Sequence, residues 1–178
     1  MAVAVIESSK VKGEVLFTQR KGGVSVDYVF PKLPPGLHGF HIHRAGDLRG
    51  EGCKGACDRT ASRSLSATTC SGCCDHWSKK PAQHGGPPGH TGPRHTGDLG
   101  NLSIPEGKEE CKGSLFLKHV FVEELYGRSV IVHEDEDDYG RGPHEDSKTT
   151  GHSGARIGCA IIGRLALCSM QTRKKTSK

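Results

Sequence analysis

Residues 36–43, Gly-Leu-His-Gly-Phe-His-Ile-His, hold both a strand pattern and a chemical signal. Residues 37–43 read as a strand, and side chains two apart on a strand point to the same face, so His41 and His43 can reach one ion together. Imidazole is a preferred ligand of copper and zinc. Further along the chain the same residue types recur as His76, His84, His95-x-x-Asp98 and His133. Six of the 11 histidines and one aspartate thus supply the donor set of a transition-metal site.

Period-two alternation extends the strand reading on both sides. Val24, Val26 and Tyr28 alternate with Ser25 and Asp27, and Leu115, Leu117 and His119 alternate with Phe116 and Lys118. Ile157, Cys159 and Ile161 form a third case. Segments 2–6, 13–19, 24–30, 37–43, 99–104, 113–120, 127–133 and 157–163 are predicted strands separated by turn residues. With 33% hydrophobic residues, 5% aromatics, 25 glycines and 9 prolines, much of the chain must be turn and loop, and helix is disfavoured. The expected class is all-β, an antiparallel sandwich or flattened barrel. Residues 44–98 and 134–156 are long loops by composition, and loops of that length in a compact domain are functional or disordered. The metal-type residues line their edges and interiors, which favours function.

The 178 residues suffice for one domain, taken as 1–166, with a basic tail at 167–178 that reads as disordered. Arg173, Lys174, Lys175 and Lys178 in that tail supply four of the net charge of +5, so nucleic acid is not an expected partner. The opening MAVAVIESSK has no basic start and falls far short of the ~20 apolar residues of a membrane span. A cytoplasmic protein without a membrane partner is expected. Eight cysteines without a signal segment argue for metal binding, one special bridge or chance over a disulfide framework. Cys-Lys-Gly-Ala-Cys-Asp at 53–58 is echoed 17 positions later by Cys-Ser-Gly-Cys-Cys-Asp at 70–75, and the serine- and threonine-rich segment between them looks inserted.

Five motifs, GLHGFHIH, HGGP (84–87), RHTGDLGN (94–101), VIVHE (130–134) and TTGHSGARIGCAIIG (149–163), resemble the copper/zinc superoxide dismutases over roughly residues 2–166. The resemblance implies an eight-stranded antiparallel Greek-key β-barrel, flattened, with two long functional loops. It implies one copper per chain on His41, His43, His76 and His133, and one zinc on His76, His84, His95 and Asp98. His76 would be a shared imidazolate. Four nitrogens suit Cu(II), and four protein ligands with no open position mark the zinc as structural. Asp137 matches the carboxylate that orients His41 and His84 from behind. Arg156 matches the arginine that holds the superoxide anion beside copper, and with His76 it forms the implied catalytic pair. Lys148, Glu145, Asp146 and Thr150 match an electrostatic steering loop, although Thr149 and Asp135 stand where the family often has lysines, which predicts weaker steering. The implied reaction turns superoxide into dioxygen and hydrogen peroxide through alternating Cu(II) and Cu(I), with no organic cofactor. His38, His90, His119, His144 and His152 are left as structural or surface residues.

Cys159 matches the family's bridging cysteine. Its partner stays open between Cys53, which follows the His-x-His and Gly-Asp pairs, and Cys70, which lies six residues before His76. Deleting residues 59–75 would place Cys53 six residues before His76, which favours the Cys53–Cys159 pairing and marks those 17 residues as an insertion. Cys57, Cys73 and Cys74 then remain as thiols of a mobile loop or as a soft-metal group. Asp75-His76-Trp77 replaces the family's usual proline, histidine and phenylalanine, so incomplete metal loading is one expectation. Cytosolic-type members pair as homodimers. Gly46 and Gly127 match interface glycines, whereas Arg164 stands where an apolar residue usually packs. Three readings follow. One is an active dismutase, partnered by superoxide and by a copper chaperone. Another is a dismutase-like copper carrier or metal buffer, which would usually add a metal-binding domain for which this chain has no room. The third is an inactive decoy, which would generally lack a ligand or the arginine.

Overall fold

The structure is a computed structural model and describes residues 1–48, 53, 75–105 and 107–166. Cys57, Cys70, Cys73, Cys74, nearly all of the inserted segment and the basic tail lie outside the described residues.

Nine strands follow one another as β1 (Ala2–Glu7), β2 (Lys12–Arg20), β3 (Gly23–Lys32), β4 (Leu37–His43), β5 (Asp98–Ser103), β6 (Cys111–Lys118), β7 (Ser129–His133), β8 (Arg156–Ile161) and β9 (Gly163–Arg164). They form two antiparallel sheets ordered β6-β3-β2-β1-β9 and β5-β4-β7-β8. The helical elements include one turn, α1 (Ser147–Thr150), and a 3-10 turn at Val122–Leu125. The all-β, two-sheet expectation is met.

Local sequence explains the hairpins. Arg20 pairs with Gly23 across a two-residue turn, Lys21-Gly22, whose glycine sits at φ 83°, a region closed to most side chains. On β3 and β6 Val24 pairs with Leu117 and Val26 with Leu115, and Val24, Val26 and Leu117 are buried, whereas His119, read as the next inward position, lies exposed beyond the end of β6 at φ 58°. The core lies between the sheets, where Phe30 meets Phe40 edge to face at 5.9 Å, with Phe17, Ile6, Ile42, Leu102, Val130 and Val132 packed around them. Each such side chain taken out of water contributes roughly 1.5–3 kcal/mol before entropy is charged against it.

The last predicted strand, 157–163, divides. β8 pairs with β7 in one sheet and β9 pairs with β1 in the other, and Ile162 is buried at the crossing. The apolar alternation assigned to Ile157, Cys159 and Ile161 does not form one core face. Ala160 and Ile162 join Ile157 in the core, while Ile161 is 48% exposed. A register shift opposite Val132 and His133 offsets the strand, and Cys159 is drawn outward to its disulfide partner.

β4 and β7 position the site. Gly39 through His43 and Ser129 through His133 are buried on both faces. Phe40, Ile42, Val130 and Val132 face the core, so the alternate positions His41, His43 and His133 point to the opposite side, under the two long loops. Register shifts fall beside His41 on the β5 side and beside His133 on the β8 side. Bulges of this kind turn individual side chains toward a site.

Candidate metal centre

The first long loop returns to β4 to deliver His76. Trp77 N–H donates to the Ile42 carbonyl at 2.7 Å, Ile42 N–H donates to the Gly97 carbonyl at 2.8 Å, and Gly97 N–H donates to the Trp77 carbonyl at 2.7 Å. This three-way pairing docks the loop on the end of β4 and sets His76 against His43 as an isolated bridge. Gly97 is required there because a Cβ would collide with the Ile42 carbonyl. Trp77 fills the core at 4% exposure, so the aromatic position after His76 is kept even though the residue is not phenylalanine.

The donor atoms converge in two groups that share one ring. His41, His43, His76 and His133 form one group, and His76, His84, His95 and Asp98 form the other. Asp98 Oδ1 lies 2.7 Å from His76 Nδ1, 3.1 Å from His84 Nδ1 and 3.3 Å from His95 Nδ1, while His84 Nδ1 and His76 Nδ1 are 3.2 Å apart. A tetrahedral ion with bonds of about 2.0–2.1 Å has ligand–ligand edges of about 3.3 Å, so these atoms fit zinc. Asp98 Oδ2 is held by the N–H groups of His95 at 2.7 Å and Gly85 at 3.0 Å, leaving Oδ1 for the ion.

The first group fits copper by a different sign. His41 Nδ1, His43 Nε2, His76 Nε2 and His133 Nε2 are buried with no hydrogen-bond partner, a costly state for a polar atom unless an ion takes the lone pair. The opposite nitrogens are mostly engaged, which fixes the tautomers. His41 Nε2–H donates to Asp137 Oδ2 at 2.7 Å, His84 Nε2–H to Asp137 Oδ1 at 2.7 Å, His95 Nε2–H to the Ala82 carbonyl at 2.9 Å and His133 Nδ1–H to the Gly154 carbonyl at 3.2 Å. His43 is the exception, with both ring nitrogens unpartnered, and His76 has Nδ1 facing Asp98 and Nε2 facing the other three imidazoles.

Electrostatics keep the first group neutral, the form that offers a lone pair to an ion. Burial first, and the neighbouring His76 second, push His41 and His43 well below the usual histidine range and His133 down to about 3. Burial likewise lowers His76, against the pull of Asp98. For His84 burial is outweighed by hydrogen bonds to Asp137 and Asp98, which raise it to about 9. Burial opposes ionisation of Asp98, yet hydrogen bonds from His76, His84 and His95 hold it far below the carboxylate range. An ion at the second site replaces the proton that this surplus of negative charge otherwise attracts.

Arg156 opens β8 directly across from His133, and its Nη1 donates to the Cys53 carbonyl at 3.1 Å. Cys53 is joined to Cys159, with Cα atoms 5.5 Å apart. The bond thus ties the first loop to β8 beside the guanidinium, whose charge helps keep His43 and His133 neutral. Lys148, Glu145, Asp146 and Thr150 lie exposed on and before α1. Asp146 Oδ1 accepts from His152 at 2.7 Å and its Oδ2 from Thr150 Oγ1 at 3.1 Å, so its charge is partly spent, and Lys148 makes no ion pair among the described residues. The Lys148 carbonyl accepts from His84 N–H at 2.9 Å, which docks α1 on the histidine loop. None of His38, His90, His119, His144 and His152 joins either donor group among the described residues. His38 is buried between the carbonyls of His133 and Pro34, and His144 stacks on His152 at 3.6 Å.

Two residues were not singled out by sequence. Arg94 donates to the carbonyls of Gly86, Thr96 and Asp98, bracing the turn that carries His95. Asn101 bonds both backbone polar groups of Asp137. Both lie inside RHTGDLGN, but nothing in residue type distinguished them from ordinary surface positions.

A family model, copper/zinc superoxide dismutase (SODC), matches residues 11–162. The chain is 39% identical to the copper chaperone for superoxide dismutase of Rattus norvegicus over 93% of its own length and 53% of that protein's. It is 37% identical to superoxide dismutase [Cu-Zn] of Candida albicans, covering 91% of this chain and 96% of the relative. The chain therefore spans about half the length of the chaperone relatives it matches. Among solved structures, the clock protein EA4 superposes with a TM-score of 0.75 at 34% identity, over 92% of this chain and 94% of that one.

Proposed function

The chain belongs to the copper/zinc superoxide dismutase family, and on that premise we propose that it disproportionates superoxide into dioxygen and hydrogen peroxide, with one copper and one zinc per chain. His76 carries the reading: its two nitrogens face two complete donor sets, one of four unpartnered imidazole nitrogens and one of three imidazoles and a carboxylate. Copper, when bound, supplies the one-electron exchange with superoxide, and zinc supplies fixed charge and order.

The chain's own residues do the remaining work. Arg156 presents donors and a fixed positive charge to a small anion arriving beside His43 and His133. The Cys53 carbonyl holds the guanidinium in place, so little order is lost on binding. Asp137 orients His41 and His84 together. His76 Nε2 can hold a proton destined for the peroxide product whenever that atom is free of metal. Lys148 attracts, Glu145 and Asp146 shape the field, and Asp135 and Thr149 make the attraction modest. The test is superoxide consumption by the copper- and zinc-loaded chain with His133→Ala as control. The reading fails if parent and variant consume superoxide equally or if the loaded parent consumes none.

A second reading, copper carriage to a dismutase, is favoured by the likeness to the rat chaperone. It is separated by incubating the copper-loaded chain with a metal-free dismutase and following copper transfer. The decoy reading draws no support from a complete ligand set and a placed arginine. Pairing as a homodimer belongs to the proposal through Gly46, Gly127 and the exposed Ile161. Arg164, lying over the Tyr126 ring at 5.5 Å, brings a charge to that surface. A cytoplasmic location rests on the family resemblance; among the described residues no helix is long and apolar enough to cross a membrane.

A further inference from the structure

We propose that Asn101 is a positioning residue for both metal sites, acting through Asp137. The inference rests on the two-site assignment above. Asn101 stands on β5, three residues beyond Asp98 and paired with Gly39 of β4. Its Nδ2 donates to the Asp137 carbonyl at 3.0 Å, and its Oδ1 accepts from the Asp137 N–H at 2.8 Å. A side-chain amide thereby imitates the two-point pairing of a neighbouring strand at a place where the second long loop has no strand to pair with. The same Nδ2 reaches the Tyr139 hydroxyl at 3.1 Å, and Tyr139 N–H donates to Asp137 Oδ1 at 2.8 Å.

What this clamp locates is a carboxylate with no exposure to solvent, whose two oxygens each take one imidazole N–H, from His41 and from His84, at 2.7 Å. The carboxylate is short, and its oxygens are fixed relative to its own backbone by few rotatable bonds. A shift of the Asp137 backbone along β5 would therefore lengthen one of the two bonds and release a ring of one site. Asparagine suits the task because it offers a donor and an acceptor on one planar group. Leucine keeps the branched outline at greater bulk and loses both, and serine keeps a single short hydroxyl.

Zinc affinity measured by competition with a chromophoric chelator tests this without recourse to dismutase activity. Loss of a group that orients a ligand from behind typically weakens metal binding 10- to 100-fold. Asn101→Leu is expected to weaken zinc by about tenfold or more, and Asn101→Ser by less. In an Asp137→Asn background the same Asn101→Leu change is expected to cost less than about twofold, because the route through the carboxylate is already cut. Equal losses in both backgrounds would make Asn101 a general structural residue and overturn the proposal, as would unchanged zinc affinity in a parent that binds one zinc. Should Asn101→Leu not fold, the Asn101→Ser pair decides in the same way. Failure of both to fold would place Asn101 with the fold and also overturn it. A parent that takes up no zinc defeats the site assignment itself, a result distinguishable from the others before any variant is made.

Discussion

The proposed copper ligands His41, His43 and His133 stand on β4 and β7, whereas His76, His84 and His95 stand on irregular chain, and both sets bury their donor atoms. On the strands, ladder hydrogen bonds and the apolar neighbours Phe40, Ile42, Val130 and Val132 fix the rings before any ion arrives. On the loop, the residues are seated by individual polar bonds: Trp77 bonded to Ile42, Lys148 bonded to His84, Ala82 bonded to His95, and Asp98 in the middle. The backbone is thus placed by strand ladders in one half and by individual polar bonds in the other, while Asp137 orients one ring of each, His41 and His84. The loop half should draw more of its order from the ion it holds.

Substituting the shared residue is the strongest way to break that contrast. His76→Ala should empty both sites, so that metal analysis after dialysis finds copper and zinc each well below one per chain, whereas His133→Ala should lose copper and retain zinc. Retention of both ions by His76→Ala would show that the halves are independent. Gly97→Ala tests the device that seats the loop on β4. Forcing a Cβ against the Ile42 carbonyl should destabilise the protein by about 1–3 kcal/mol in urea unfolding, and a loss below about 0.5 kcal/mol would mean the close approach is not needed.

Arg156→Ala should leave both metals bound and reduce the second-order rate with superoxide roughly 10- to 100-fold, the worth of a charge-assisted hydrogen bond. A matching loss of copper would move the arginine from anion binding to site assembly. Lys148→Ala should have the smallest effect. It should lower the rate less than about twofold at physiological ionic strength and flatten its dependence on salt, since an exposed charge acts within a Debye length of about 8 Å. An unchanged salt profile would remove Lys148 from steering.

The same contrast explains what the sequence made legible. His41 and His43 could be placed on one face of one strand because strand geometry is periodic, and the family's motifs lined up the rest. The irregular devices carry no period. The bulges beside His41 and His133 follow from pairing across strands far apart in sequence, and the division at Ile162 follows from a choice between two sheets. The exposure of Ile161 is not legible because apolar spacing says which residues alternate, not which face a neighbouring bulge leaves inward. Asn101 and Arg94 act on main-chain carbonyls and N–H groups, which nearly every residue has, so their partners leave no mark on the sequence.

The disulfide between Cys53 and Cys159 has a sequence separation of 106. Its ring encloses five of the seven proposed ligands, His76, His84, His95, Asp98 and His133, and leaves His41 and His43 outside. Closing a ring of this size removes denatured-state freedom worth about 4.7 kcal/mol in a simple chain-entropy account. An oxidised chain that unfolds still carries nearly all of the loop-borne donors tethered within one another's reach. On the proposed assignment, such a coil would recapture an escaping zinc ion from preconcentrated donors, whereas the copper group would wait for β4 to re-form.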